Sequence, residues 1–180
     1  MGDSLITIVA IFLAAILMFV FPLMSISERN DDIAQLGIQT ATVEFVENIA
    51  STGKITLSNY DSYIQSLAAT GNSYDVEMEI KVLDENPGKK TTWATTDKIG
   101  ENIYYSVYTS QILDVLAPEE GTASANYEYP LKEGDIVSIS VKNTNTTISQ
   151  MLRNFFYTVT GEDTYQVAAK HAAMVKSNGK

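Results

Sequence analysis

One histidine, three evenly spaced carboxylates, an acidic cluster and a set of tyrosines are the side chains here whose types and spacing could do chemistry. Histidine is the residue best suited to proton transfer near neutral pH and the commonest metal ligand. His171, however, falls in a stretch where Val167, Ala169, Ala173 and Val175 share its strand face. With no cysteine in the chain it cannot complete a usual zinc site, and it reads as a packed or edge residue. Asp75, Glu77 and Glu79 alternate with Val76 and Met78, which puts the three carboxylates on one strand face at intervals of about 7 Å. Two carboxylates at that distance could serve glycoside hydrolysis, but the alternation describes the solvated face of a half-buried strand. Glu28, Asp31 and Asp32 could attract a cation, and they also suit the first turn of a helix that restarts after a proline. Asn145-Thr146-Thr147 matches a glycosylation sequon and makes a good helix N-cap, the use preferred here. Tyr104, Tyr105 and Tyr108, with Tyr127 and Tyr129 further on, are candidates for a contact surface, since aromatic side chains are favoured at interfaces.

No phosphate-cradling glycine loop, nucleophile elbow, metalloprotease helix or EF-hand spacing occurs. The expectation is therefore a chain that is not an enzyme, with no catalytic residue, cofactor or metal site. Its charge narrows the partners further. The 180 residues carry 12 Lys and Arg against 22 Asp and Glu, a net charge of −10. All 12 basic and 21 of the acidic residues follow residue 24, so that part alone carries −9. Nucleic-acid affinity comes largely from basic side chains displacing counterions, so DNA and RNA are not expected partners. Zero cysteines remove disulfides and thiolate chemistry together, leaving the fold to rest on its core.

The elements that must position these side chains begin with an apolar run. From Leu5 to Met24 there is no charge, and Thr7 is the only polar side chain. About 20 helical residues reach across the ~30 Å hydrocarbon core of a bilayer. Met1, Gly2, Asp3 and Ser4 include no Lys or Arg, so a retained transmembrane helix is expected rather than a cleaved signal peptide, although Ser25 and Ser27 imitate a cleavage site. Ile6 stands where a myristoylation signal wants Ser or Thr. Neither flank is basic enough to hold the larger part inside, which gives a single pass with the N-terminus inside and the head outside. Pro22 removes one backbone donor and is expected to kink the helix near its outer end.

Beyond the membrane the helical pattern continues through Ile33, Leu36, Val43, Phe45, Val46 and Ile49, and Gly53 supplies the stop. A helix from Ser4 to Ser51 would be about 70 Å long, with a second bend expected at Gly37. Two parts follow: residues 1–24 as the transmembrane helix, and 25–180 as an extracytoplasmic head whose first residues, 25–52, continue that helix. In the head, Ser58 caps a second helix with Tyr60, Tyr63, Ile64 and Leu67 inward, ending at Gly71. Tyr74 to Val82 reads as a strand, closed by Asn86-Pro87-Gly88. A short edge strand is expected around Trp93, and Thr109 or Ser110 starts a short helix ended by Pro118. Pro118 to Pro130 reads as a loop, Gly134-Asp135 opens a strand with Val137, Ile139 and Val141 on one face, and a further helix carries Ile148, Met151, Leu152, Phe155, Phe156 and Val159. A last strand runs from Tyr165 to Val175. The fold class is α+β: a long N-terminal helix packed with additional helices on a small antiparallel sheet.

An uncharged N-terminal helix running into the head, broken by a proline and followed by a small α+β head, resembles the architecture of type IV pilins and pseudopilins. The stretches QTATVEFVENIASTGKIT (Gln39 to Thr56) and LAATGNSYDVEMEIKVLDENPGKK (Leu67 to Lys90) resemble small membrane proteins encoded with Tad/Flp-type pilus machinery in Gram-positive bacteria. The resemblance covers roughly residues 4–90. It implies a pilin-like fold and a structural or assembly subunit of a pilus or secretion filament. Its partners would be membrane lipid, other pilin-like subunits and the pilus assembly machinery, and it would sit in the cell membrane or a cell-surface filament. Such proteins are cut after a glycine ahead of a helix that carries a glutamate; here Gly2 and Asp3 mark the candidate leader cleavage, and Asp3 is the only nearby acid. The alternative is a membrane-tethered accessory or binding domain of a secretion, conjugation or transport apparatus that does not polymerise.

Overall fold

The computed structural model describes residues 2–84, 104–117, 127–144 and 168–179. A single helix, α1 (Gly2–Thr52), occupies more than a quarter of the chain. It runs on through Pro22 and Gly37 as one helix, and it stops where expected, at Gly53, whose φ of 71° lies in the left-handed region that glycine enters without a Cβ penalty.

After α1 come β1 (Lys54–Thr56), α2 (Leu57–Ala68), β2 (Tyr74–Leu83), β3 (Tyr104–Tyr108), α3 (Thr109–Leu116), β4 (Glu128–Pro130), β5 (Ile136–Asn143) and β6 (Ala168–Met174). Four strands form an antiparallel sheet in the order β3-β2-β5-β6, and β1 pairs with β4 in a separate two-stranded ladder. The fold is α+β, as expected. Alternation explains the central pair. Met78 and Ile80 of β2 lie opposite Ile139 and Val137 of β5, so all four point to the same face and are buried there. Against that face lie α1, chiefly over β5 and β6, and α2 alongside α1. Ile38, Phe45, Val46 and Ile49 of α1 join Tyr63 and Leu67 of α2 in the shared core. Each fully buried side chain of this kind stabilises the fold by about 1.5–3 kcal/mol relative to exposure.

Three expectations are corrected, and one stretch without an expected element gains a strand. The cap of α2 is Thr56 rather than Ser58: its hydroxyl accepts from the Asn59 N–H at 3.2 Å. The Leu57 N–H donates to the Tyr127 carbonyl at 2.9 Å, so a tertiary contact secures the first turn of α2 ahead of Ser58. Residues 104–108 form a strand that the tyrosines conceal, because amphipathic side chains at Tyr104, Tyr105 and Tyr108 blur any apolar alternation. The end of the Pro118–Pro130 loop is the strand β4, and β1 precedes α2; each is three residues long, too short for periodicity to show. Lastly, Ile33, Leu36 and Val43 do not share a face with Phe45, Val46 and Ile49, since the first three are exposed and the last three buried. The turn at Asn86-Pro87-Gly88, the edge strand around Trp93, the helix carrying Ile148 to Val159, and the start of the last strand at Tyr165 lie outside the described residues.

Candidate functional site

The feature with most capacity for interaction is α1 itself, whose faces differ. Toward the sheet it presents Ala34, Ile38, Thr42, Phe45 and Ile49, all buried, at the spacings of three and four that keep side chains on one helix face. Away from the sheet, Ile33 is 64% exposed, Leu36 65% and Val43 41%, again at spacings of three and seven. Between the last two lies Thr40, whose hydroxyl donates to the Leu36 carbonyl at 2.8 Å and so masks its polarity within the helix. A row of exposed apolar side chains therefore resumes past the polar stretch Ser27 to Asp32 that follows the N-terminal half. In that half an 18-residue window reaches a mean hydropathy of 2.9 with none of it buried, long and apolar enough to cross a membrane.

Charge along α1 is lopsided. Arg29 is its only basic residue, against Asp3, Glu28, Asp31, Asp32, Glu44 and Glu47. Arg29 is exposed and makes no ion pair among the described residues. Eighteen residues on, Glu47 lies 3.5 Å from His171 Nε2 and 3.6 Å from Lys176 Nζ. Both separations exceed the usual length of a charge-assisted hydrogen bond, and His171 Nε2 makes no hydrogen bond. His171 sits opposite Ile139 on the inner sheet face, which accounts for the lone histidine as a packing residue beside α1.

On its other side, α1 meets α2 along a groove of about 210 Å³ lined by Ala41, Glu44, Phe45, Asn48, Asn59, Ser62, Tyr63 and Ser66. Its floor is the stacked pair Phe45 and Tyr63, 4.4 Å between ring centroids and 10° from parallel. One end is closed by Asn59 Nδ2 donating to Asn48 Oδ1 at 3.1 Å. The hydroxyls of Ser62 and Ser66 donate back to the carbonyls of Ser58 and Ser62, so each oxygen still has acceptor capacity toward the groove. Burial pushes the Tyr63 phenol up to about 12, opposed by its hydrogen bond with Thr42. Tyr60 is raised by burial and by Asp61.

The carboxylates of β2 are engaged individually. Glu77 accepts from Lys142 at 3.0 Å across the strands, Glu79 accepts from the Ser106 hydroxyl at 2.8 Å, and Asp75 lies across from Lys142 on the exposed face. Among the described residues, no group of three or more His, Asp or Glu side chains could hold a metal ion. Tyr104, Tyr105 and Tyr108 do not form one surface: Tyr105 shares the face of Val82 and Val107, while Tyr104 and Tyr108 share that of Leu83 and Glu79. Tyr129 is raised by burial, and then by the nearby Tyr105 phenol and Asp135. Gly2 and Asp3 lie in the first turn of α1, and Pro22 is exposed within it. The polar groove went unforeseen, since it depends on how α2 folds back on α1. The exposed row was legible in principle, because Ile33 and Leu36 lie about 140° or more around the helix from Ile38.

Neither protein-family models, nor curated proteins, nor solved structures contain a match to this chain.

Proposed function

We propose that this protein is a pilin-like structural or assembly subunit, held in the cell membrane by the N-terminal half of α1 and packed into a filament or its initiating complex through that helix. The head lies outside the cell and the short N-terminal tail inside. The observation that carries this reading is the exposed apolar row Ile33, Leu36 and Val43, a second apolar stretch on the outside of α1 that lies past the charged residues Glu28 to Asp32 and so beyond the part that a bilayer would cover. A helix that only anchored a head would gain nothing from an apolar face in water. Packing against helices of the same kind gives that face a partner, with membrane lipid, pilin-like subunits and the assembly machinery as neighbours and no catalytic role.

Shearing cells that make a C-terminally tagged version, then measuring intact mass in sheared filaments and in washed membranes, tests the proposal. Tagged protein in filaments, shortened to begin at Asp3, is the expected result. Full-length protein confined to membranes overturns it. That second result favours a tethered accessory domain, for which the polar groove between α1 and α2 is the supporting feature.

A further inference from the structure

We infer that the groove between α1 and α2 is a binding site for a basic side chain, arginine best, presented by a partner polypeptide. The two helices run antiparallel, for Asn48 meets Asn59, Thr42 meets Tyr63 and Gly37 lies beside Thr70. From the Asn48–Asn59 contact, steps of one turn along each helix bring Glu44 level with Ser62 and then Ala41 level with Ser66. The slot between them runs about 10 Å along α1, the scale of one extended basic side chain. Neither of its walls uses Ile33, Leu36 or Val43, so the groove and the exposed row of α1 are independent features.

The polar atoms along the groove are nearly all acceptors. Ser62 and Ser66 commit their protons to the carbonyls of Ser58 and Ser62 at 2.8 Å each, and Asn59 donates to Asn48. What they leave for a ligand is lone pairs on two hydroxyls and on Asn59 Oδ1, beside the Glu44 carboxylate. Glu44 makes no ion pair among the described residues. An anion would meet only the Asn48 amide as a donor. A calcium ion takes about 6–8 oxygens, commonly from several carboxylates, and the groove holds one carboxylate. A sugar stacks on an open aromatic face, whereas Phe45 and Tyr63 are 5% and 4% exposed and stacked on each other. A polyamine carries charge at both ends, more than a single carboxylate balances. A basic side chain suits every part: its charge lies at Glu44, its N–H groups at the oxygens of α2, and its methylene stem over Ala41 and the ring edges of the floor. Guanidinium is planar with five donors, so it can bridge Glu44 on one wall and the Ser62 and Ser66 hydroxyls on the other, where a compact ammonium reaches fewer. The net charge of −10 draws such a partner toward the protein.

The test is an NMR titration of the full-length protein in detergent micelles, with its asparagine side chains labelled. The probes are a capped glycine-arginine-glycine peptide, the same peptide with lysine or the neutral isostere citrulline in place of arginine, and spermidine. The expected result is a saturable shift of the Asn48 and Asn59 side-chain amides by the arginine peptide, with a Kd on the order of 1 mM. The lysine peptide should bind more weakly and the citrulline peptide not at all. Glu44→Gln should weaken the arginine peptide about tenfold, with the unfolding temperature unchanged because Glu44 is exposed. Glu47→Gln, which alters a carboxylate facing His171 and Lys176 outside the groove, should leave binding intact. No saturable shift, or an equal response to citrulline, overturns the site. Equal weakening by both glutamine variants overturns it too, since it reduces binding to the general acidity of the protein. Lysine binding as tightly as arginine overturns the preference for guanidinium. Saturation by spermidine and not by the arginine peptide overturns the polypeptide partner.

Discussion

The hydroxyl of Thr42 on α1 and the phenol of Tyr63 on α2 meet at 3.0 Å in the buried seam between the two helices, and Thr42 also donates to the Ile38 carbonyl at 2.7 Å. With the Thr42 proton committed to Ile38, the Tyr63 phenol is the donor in the shared bond. Tyr63→Phe removes the donor and leaves Thr42 satisfied, a loss of about 1 kcal/mol. Thr42→Ala leaves the phenol without its acceptor in a buried site and costs about 1–3 kcal/mol. Denaturant unfolding of the two single variants and the double variant would show that the effects do not add.

Alkaline pH should loosen the same seam. Tyr63 has a folded-state value of about 12 against an ordinary 10.0, so the folded chain holds that proton more tightly than the unfolded one. Its contribution is complete below about pH 10 and is lost as pH rises through 12. A spectrophotometric titration of tyrosinate should show Tyr63 ionising late, together with a fall in thermal stability across that window. Tyr63→Phe should remove this component of the fall.

Gly53 and Gly71 both have positive φ, 71° and 82°, but their surroundings differ. A Cβ on Gly71 would meet nothing within 4 Å, so Gly71→Ala costs only the conformational term, about 1 kcal/mol. A Cβ on Gly53 would run into the backbone at Ser177, Asn178 and Gly179. There the C-terminal segment is tied in by Lys176 N–H to Ala50 O at 2.8 Å and Gly179 N–H to Leu131 O at 3.0 Å. Gly53→Ala should therefore expel residues 176–179, seen as early proteolysis at the C-terminus, with a larger stability loss than Gly71→Ala.

Asp135 is buried and accepts from the Leu83 N–H at 2.9 Å and the Lys132 N–H at 2.8 Å, joining the end of β2 to the turn before β5. Asp135→Ala strands both donors and should cost about 2–4 kcal/mol, while Asp135→Asn keeps one acceptor and should cost roughly half as much. Thermal unfolding of the two variants checks the order.

Substitutions on the two faces of α1 should separate folding from packing. Ile38→Ala empties a buried site and should cost about 2–5 kcal/mol. Ile33→Ser with Leu36→Ser touches exposed positions and should leave unfolding within about 0.5 kcal/mol of the parent. If α1 packs against its own kind, that exposed double variant should nonetheless disappear from sheared filaments.

Much of this architecture was legible in residue order. The charge-free run from Leu5 to Met24, the stop at Gly53, and the alternating apolar positions of β2 and β5 each follow from composition, backbone freedom or periodicity within a few neighbouring residues. The α+β class followed from them. Tertiary structure decided the rest, because it turns on residues distant in sequence. The ladder of Lys54 with Pro130 makes strands of two segments too short to declare themselves, and the Tyr127 carbonyl moves the start of α2. The fold-back of α2 opens the groove between Asn48 and Asn59. Most consequential for function, α1 has apolar side chains around much of its circumference, and only the sheet chooses which of them are covered. Ile38 and Phe45 go inward, and Ile33 and Leu36 are left outside.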